Sequence, residues 1–229
     1  MIEKQDGIVR VTTNKATYLC RNLIIATGYY DNPNMMNIPG EQLSKVKHYF
    51  DEAHPYAGLE AAVVGAGNSA VDVALELFRI GAKVTMVVRE EAIKKSVKYW
   101  VRPDIENRID EGSIRAFFRS SIRKIESGHI LIESPRGKTK LRNDVVFAMT
   151  GYHPHLDLLK EAGIRIVSGS KAHFSKVTHE TNVEGIYLAG VACSGGNTDK
   201  YFIENSIIHS VKIMDDIQKK LKSPGGKKL

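Results

Sequence analysis

The 229-residue sequence has no long hydrophobic run and contains only two cysteines. A membrane-spanning helix needs about 20 mostly apolar residues, and no stretch approaches that length. The first residues, MIEKQDGIVRV, lack the basic start and apolar segment of a secretory signal peptide. Cys20 and Cys193 are far apart, which excludes a C-x-x-C redox pair and a cysteine-rich metal site. We therefore expect a cytoplasmic protein with no membrane partner.

Charge of one sign is also not concentrated anywhere in the chain. Lys and Arg total 33 against 26 acidic residues, for a net charge of +7, and the two signs are interleaved. The segment SIRAFFRSSIRK resembles a nucleic-acid patch, but its alternation with Phe117 and Phe118 fits a half-buried strand better. We expect no nucleic-acid partner, and a mildly basic surface that suits phosphorylated cofactors.

Apolar periodicity predicts an α/β protein. A hairpin is expected over DGIVRVTTNKATYLC, a buried strand over residues 22–27, and a strand, helix and strand over about 61–64, 68–80 and 83–88. Residues 31–55 carry Asn, Pro and Gly at short intervals, which predicts a linker. The last long helix is expected to bury a stripe formed by Ile203, Ile207, Val211, Met214, Ile217 and Leu221.

A glycine-rich turn joins the predicted strand 61–64 to the helix that follows it. Gly65, Gly67 and Ala70 fit G-x-G-x-x-A, in which the first glycine allows the turn, the second admits a pyrophosphate, and alanine keeps the helix close to the sheet. The backbone amides around Asn68 and Ser69 would face the phosphates at the positive end of the helix dipole. The motif predicts dinucleotide binding; the alternative is a glycine-rich packing turn.

The end of the next strand bears on which dinucleotide binds. Arg89 lies about 20 residues beyond the turn, where an acidic residue favours NAD and an arginine suits the 2′-phosphate of NADP. Lys94 and Lys95 follow as possible helpers, whereas Glu90 and Glu91 have the opposite charge. The pattern favours NADPH over NADH, with an ordinary surface arginine as the alternative.

Three strand ends carry a further pattern: LIIATGYY, FAMTGYH and GIYLAGVA each end in a small residue or threonine followed by glycine. Their arrangement around the dinucleotide unit resembles the flavoprotein reductases with two dinucleotide domains. The ending TNVEGIYLAGVACSGGNTDKYFIENSIIHS is similar to the bacillithiol disulfide reductases of the YpdA type, which are thioredoxin-reductase-like. The resemblance covers nearly the whole chain.

The resemblance implies a Rossmann-like NADPH-binding domain inserted into an incomplete FAD-binding domain of the same general type. Residues 1–55 would form the latter part of the FAD domain, 56–152 the NADPH domain, 153–221 the return of the FAD domain, and 222–229 a flexible tail. No G-x-G-x-x-G for the FAD pyrophosphate precedes Gly65. The chain therefore resembles an N-terminally truncated member, which raises the question of whether it still holds FAD.

The resemblance also assigns a second set of cofactor-binding positions, close to the flavin. Lys200 and Tyr201, before the last helix, would approach the isoalloxazine ring. Gly28, Gly190 and Val191 would also lie near the flavin, and Thr27 and Gly151 are further candidate cofactor-binding positions. In the alternative, Gly28 and Gly190 only close strand turns and Lys200 is an exposed charge.

The implied reaction is hydride transfer from NADPH to FAD, followed by electron transfer to a low-molecular-weight disulfide, such as bacillithiol disulfide, or another acceptor. No catalytic side chain is assigned, since the cofactors perform the hydride step. One alternative is an NADP(H)-binding module without catalysis of its own. Another is an enzyme like the flavin-containing monooxygenases, although their motif between the two domains is not evident. Sheet edges left open by a missing half predict a homo-oligomer.

Other candidate residues carry weaker signals. His153 and His155 flank a proline and have no evident third ligand, so no metal site is expected. Cys20 and Cys193 each adjoin an apolar strand, which favours buried structural cysteines.

Overall fold

A computed structural model describes residues 1–168, 170–196 and 200–222 and divides the chain into two compact units. The first unit combines Met1–Pro33 with the chain from Tyr152 onward, and the second is Asn34–Gly151. The first eight strands are β1 (Ile2–Gln5), β2 (Ile8–Thr12), β3 (Thr17–Cys20), β4 (Leu23–Ile25), β5 (Val46–Lys47), β6 (Glu60–Val64), β7 (Lys83–Val87) and β8 (Arg115–Phe117). The later strands are β9 (Ser121–Ile125), β10 (His129–Ser134), β11 (Gly137–Arg142), β12 (Val145–Ala148), β13 (Ile166–Ser168), β14 (Lys171–Ala172) and β15 (Ile186–Leu188). The helices are α1 (Asn68–Arg79), α2 (Arg102–Asp110), α3 (Leu156–Glu161) and α4 (Ile203–Lys222).

The second unit is built on a five-stranded sheet in the order β5-β12-β6-β7-β8, with every pairing parallel. Alternate residues of β6 point to opposite faces: Val63 packs in the cluster that includes α1 and α2, and Val64 packs in the cluster that includes the meander β9–β11. Both faces of the sheet are therefore covered, and ligand access is left to its edge. The sequence expectations for β6, α1 and β7 are confirmed to within about one residue.

The first unit contains a three-stranded antiparallel sheet, β1-β2-β3, and a separate parallel pair, β4 and β15. In the parallel pair, Ile25 lies opposite Leu188. Both side chains lie in one apolar cluster with Leu159 of α3 and Val9 of β2. This cluster joins the early and late parts of the chain into one body.

The boundary between the units differs from the expected one at residue 55. Residues 34–55 belong to the second unit, because β5 pairs with β12 through Val46 and Val146. Phe50 and Tyr56 contact Phe147 edge-on, with ring centroids 5.4 and 4.9 Å apart. The segment predicted as a linker is thus part of the sheet and core of the second unit, and the units meet at 33/34 and 151/152.

The expected buried stripe of α4 is wrong for this chain. His209, Ile213 and Ile217 face inward instead, and Ile213 packs on the fully buried Tyr187. These three residues follow the spacing i, i+4, i+8, which places them on one face of the helix. The exposed fractions of the expected stripe are 84% for Ile203, 62% for Ile207, 50% for Val211, 47% for Met214 and 56% for Leu221, and only Ile217, at 9%, is buried.

The tail expected at 222–229 begins one residue too early, because Lys222 is the last residue of α4. Residues 223–229 lie outside the described part of the chain. Among the described helices, none combines the length and the apolar character needed to cross a bilayer.

Candidate functional site

The turn from β6 into α1 has the geometry that the glycine pattern predicts. Gly65 has a φ of +127°, and a Cβ placed there would lie 2.4 Å from the carbonyl oxygen of Met149, so only glycine fits. Gly67 is extended (φ −90°), and a Cβ there would have no neighbour within 4 Å. Ala70 is buried where α1 approaches the sheet. The close approach at Gly65 is thus explained by packing, whereas Gly67 borders open space.

The N-terminus of α1 is open as well. Its first residue follows Gly67 directly, and no side-chain hydrogen bond caps it. The amides of the first turn, including those of Asn68 and the exposed Ser69, therefore remain available to an anion. The Asn68 side chain is engaged: its Oδ1 accepts from the backbone N–H of Lys98 at 2.9 Å, and its Nδ2 donates to the carbonyl of Ser96 at 3.4 Å. Asn68 thereby holds the segment after β7 beside the turn.

A cavity of about 590 Å³ opens at the carboxyl edge of the parallel sheet. Val64, Arg89 and Thr150, which follow or end β6, β7 and β12, line it together with Arg119 and Ser120 after β8. In open α/β sheets, ligands bind outside the carboxyl ends of the strands. The cavity is therefore in the expected place for a ligand of the second unit.

Both acidic residues that follow β7 form ion pairs, whereas Arg89 forms none with a described residue. Lys94 Nζ lies 3.5 Å from Glu90, and Glu91 pairs with Arg119. Arg89 is exposed, lines the cavity, and forms no hydrogen bond or ion pair with another described residue. The acids that complicated the sequence pattern thus have cationic partners of their own. Lys95 is exposed but does not line the cavity.

Sequence reasoning singled out Arg89 and missed Arg119. The available signal was that SIRAFF, a predicted strand, is followed by arginine just as the strand before Arg89 is. The parallel register that places the two strand ends side by side cannot be derived from a single strand.

Thr150 and Gly151 are held at the point where the chain enters and leaves the second unit. Thr150 Oγ1 donates to the carbonyl of Asn34 at 2.5 Å, and the Asn34 N–H donates to the carbonyl of Gly151 at 2.9 Å. Gly151 has a φ of +85°, and a Cβ there would approach the Asn34 side chain to 3.3 Å. These hydrogen bonds hold the first and last residues of the second unit together, and we call the pairing of Asn34 with Gly151 the neck.

In the first unit, Thr27, Gly28, Gly190 and Val191 follow the ends of β4 and β15. Gly28 and Gly190 both have positive φ, +73° and +63°. A Cβ on Gly28 would lie 3.9 Å from Val191, and one on Gly190 would meet nothing within 4 Å. Thr27 is exposed beside them. The two parallel strands thus end in adjacent glycine turns at their carboxyl ends, which is where ligands bind in open α/β sheets.

Lys200 and Tyr201 lie just before α4. The Lys200 ammonium sits 4.9 Å from the centre of the Tyr201 ring, and Tyr201 contacts His209 edge-on at 4.7 Å. Asn205 Nδ2 donates to the carbonyl of Lys200 at 3.1 Å. These contacts fix the approach to the helix, with Lys200 on its exposed side.

Three buried residues form a group that the sequence did not reveal: His179, Cys193 and His209, in which one ring nitrogen of each histidine and the sulfur lie within 4.8 Å of one another. Burial, the nearby His179 and two lysines lower the pKa of His209 to about 4, and burial raises the pKa of the Cys193 thiol to about 12. The Gly190 N–H donates to His209 Nδ1 at 3.1 Å, so a neutral His209 carries its proton on Nε2. Within the group, Cys193 Sγ lies 3.7 Å from His179 Nδ1, and His209 offers no free lone pair to a metal.

The other candidates have local roles. His153 Nδ1 lies 2.9 Å from the carbonyl of Pro154, and His155 Nδ1 accepts from the Leu158 N–H at the start of α3. Burial of Cys193, with 2% exposure, is confirmed, whereas Cys20 is only half-buried.

Comparison with known proteins gives consistent matches over most of the chain. The family model described as pyridine nucleotide-disulphide oxidoreductase matches residues 1–190. The bacilliredoxin reductase Bdr of Bacillus subtilis (strain 168) is 42% identical over 218 residues, which cover 94% of this chain and 67% of that protein.

Solved structures agree. The bacillithiol disulfide reductase Bdr (YpdA) from Staphylococcus aureus superposes with a TM-score of 0.93 at 37% identity, covering 97% of this chain and 69% of that one. Thioredoxin reductase from Lactococcus lactis shares the fold, with a TM-score of 0.79 at 21% identity over 95% of this chain and 72% of that one. The chain thus spans about two thirds of the length of the relatives it matches.

Proposed function

The chain belongs to the pyridine nucleotide-disulphide oxidoreductase family, and on that premise we propose that its second unit binds NADPH for delivery of a hydride to a flavin. The resemblance and the α/β fold class inferred from the sequence are confirmed by the matches to Bdr and to thioredoxin reductase. The family consists of flavoprotein oxidoreductases, so the chain is related to enzymes rather than to structural proteins.

The observation that carries the proposal is the open corner at Gly67. A Cβ there would meet nothing within 4 Å, next to an uncapped helix N-terminus that favours anions. A glycine kept only for packing, such as Gly65, has a backbone atom against it. The open space at Gly67 and the uncapped helix N-terminus beside it together support a bound pyrophosphate.

NADPH is proposed over NADH because of Arg89. A guanidinium after the second strand suits a 2′-phosphate, and this one has no described partner competing for it. An acid in that position would instead accept from the ribose 2′-hydroxyl of NADH.

The first unit is proposed to hold part of the flavin site. Gly28 and Gly190 end two paired parallel strands in open turns, and Val191 and Lys200 lie on the segments that follow. Bound FAD would accept the hydride and pass two electrons to a low-molecular-weight disulfide, as the names of the Bdr relatives suggest. The chain's own contribution is to bind and orient the two cofactors.

The test is a nucleotide titration of two matched glycine variants. Gly67→Val should retain the fold, because its backbone is extended and unobstructed, and should lose NADPH binding because the side chain fills the pyrophosphate space. Gly128→Val is the control, since it also meets nothing within 4 Å but lies in the turn between β9 and β10. Calorimetry that finds equal NADPH affinity in both variants, or none in the unmodified chain, contradicts the proposal.

A second candidate is an NADP(H)-binding module without catalysis of its own. It is favoured by the first unit having only two parallel strands, β4 and β15, among the described residues. A yellow protein with flavin absorbance near 450 nm supports the reductase. A colourless protein that binds NADPH supports the module.

A further inference from the structure

Two arginines lie side by side at the carboxyl edge of the second unit. Strands β7 and β8 are parallel, with Val87 opposite Phe117. Beyond the strand ends the Val88 N–H donates to the Phe117 carbonyl at 2.9 Å, and the Ser120 N–H, rather than that of Arg119, donates to the Val88 carbonyl at 2.9 Å, so the chain shifts by one residue at Arg119. Arg89 and Arg119 follow these two neighbouring strand ends and line the same cavity.

Arg119 is held in an unusual backbone conformation at this place. Its φ is +50°, in the left-handed region that residues other than glycine seldom adopt. The Arg119 N–H donates to the carbonyl of Glu90 at 2.9 Å, which ties it to the segment after β7. Such conformations persist only where the surroundings enforce them, and they cluster at ligand-binding sites.

Three arginines line the cavity, and their ion pairs distinguish Arg119 from Arg123. Arg123 also lines the cavity but pairs within the meander with Glu133, with 2.5 Å between guanidinium nitrogen and carboxylate oxygen. Arg119 pairs with Glu91, on the loop that follows Arg89, and both of these side chains are largely exposed. An exposed pair of this kind contributes little stability and can exchange partners. Arg119 is therefore positioned beside Arg89 with a replaceable counter-ion.

We propose that Arg119 is a specificity-determining residue that binds, together with Arg89, the phosphate monoester on the adenosine ribose of NADPH. The inference rests on the proposed NADPH site and extends it to β8, which the glycine pattern does not reach. A phosphate monoester carries a charge of about −1.5 to −2 at neutral pH, which two guanidiniums match better than one. NADH lacks this group, so Arg119 contributes to binding of NADPH alone. On binding, the phosphate takes the place of the Glu91 carboxylate.

The test compares NADP⁺ and NAD⁺ affinities by calorimetry at one fixed ionic strength. Arg119→Asn removes the charge while keeping a residue that tolerates a left-handed backbone. It should weaken NADP⁺ binding by roughly 10- to 100-fold, the loss expected for one hydrogen-bonded charge, and change NAD⁺ binding less than about twofold. Arg123→Gln is the matched control in the same cavity and should leave both affinities within about threefold.

A ratio of NADP⁺ to NAD⁺ affinity that stays within about twofold in Arg119→Asn overturns the inference while leaving the NADPH site itself in place. Should that variant fail to fold, Glu91→Gln decides. Removing the competing carboxylate should raise NADP⁺ affinity a few-fold without affecting NAD⁺, and an unchanged ratio overturns the inference. If the unmodified chain binds neither nucleotide, the proposed function fails as well.

Discussion

At the scale of single residues, the buried group of His179, Cys193 and His209 stays neutral at physiological pH. Burial is the largest cause of the shift at each member, and it disfavours charge on the imidazoles and on the thiol alike. The two imidazole rings lie close together, tilted by 35° with centroids 4.2 Å apart, which adds a reason why they cannot both be charged. The group therefore links the stability of the first unit to pH.

We expect the free energy of unfolding to fall as the pH drops from 6.5 to about 4. The folded state lowers the pKa of His209 from 6.5 to about 4, so in this window the unfolded chain binds the proton first and is favoured. Above pH 6.5 both states are neutral at His209 and its contribution is complete. Urea unfolding at several pH values should show a shallower dependence in His209→Gln than in the unmodified chain. His129→Gln, at an exposed strand residue of the second unit, is the control and should keep the original slope.

Cys193 should resist alkylation in the folded protein. Its pKa of about 12 lowers the thiolate fraction on the order of a thousandfold relative to a free cysteine, and the sulfur is buried. Mass spectrometry after iodoacetamide treatment at pH 8 should find Cys193 unmodified until denaturant is added. Half-buried Cys20, whose pKa burial also raises, should react slowly in the folded chain. Rapid labelling of folded Cys193 would refute its assignment as a structural cysteine.

At the scale of elements, Lys45 ties the meander to the parallel sheet. Its Nζ donates to the carbonyls of Glu126 and Ser127, in the turn after β9, and of Asn143, before β12, at 3.0, 3.1 and 2.7 Å. Burial lowers the pKa of Lys45, opposed by the charge of Asp144. One side chain thus satisfies three backbone acceptors from two different elements.

Lys45→Met should lower the free energy of unfolding by about 2–4 kcal/mol, because it leaves these carbonyls without their charged donor. Lys47→Met, an exposed substitution two residues along, should change it by less than about 0.5 kcal/mol. Equal urea midpoints for the two variants would show that water replaces the ammonium without cost.

The elements differ in how far the sequence predicts them. The spacing of Val71, Ala74 and Leu75 is enough to place α1, because one helix face meets one sheet face. The inward face of α4 was not predictable in this way, since His209 carries part of it and apolar residues occupy two sides of the helix. Arg89 could be found from its distance to the glycine turn, whereas Arg119 depends on strand pairing between β7 and β8. Local periodicity can be recognised in a sequence, but the register of paired strands and the surface on which a helix packs cannot.

At the scale of the whole molecule, α4 presents an apolar face with no cover among the described residues. Ile203, Ile207, Ile208 and Val211 are each at least half exposed, along with Phe202 just before the helix. Contiguous exposed apolar surface of this kind usually marks an interface. The expectation of a homo-oligomer thus remains a prediction with a specific surface attached to it.

The isolated chain should associate through α4. Light scattering should give a mass above that of one chain, and the double variant Ile207→Glu, Val211→Glu should shift it toward the monomer. Gln218→Glu adds a charge at another exposed position of the same helix and should leave the mass unchanged. A monomeric unmodified chain at micromolar concentration would rule out association through this face.

The neck at Asn34 and Gly151 has a consequence for how the chain folds. Contacts inside the first unit, such as that of Lys4 with the carbonyl of Glu184, join residues 180 positions apart, and an open loop of that length closes slowly. The second unit is continuous in sequence and can form before those distant pieces meet. Once Asn34 and Gly151 are hydrogen-bonded, the adjoining residues Pro33 and Tyr152 pair directly. The two segments of the first unit that continue from these residues then start close together, which shortens the loop that their contacts have to close. Weakening the hydrogen bonds of Asn34 with Thr150 and Gly151 should therefore slow the last kinetic phase of refolding, while it changes the free energy of unfolding much less.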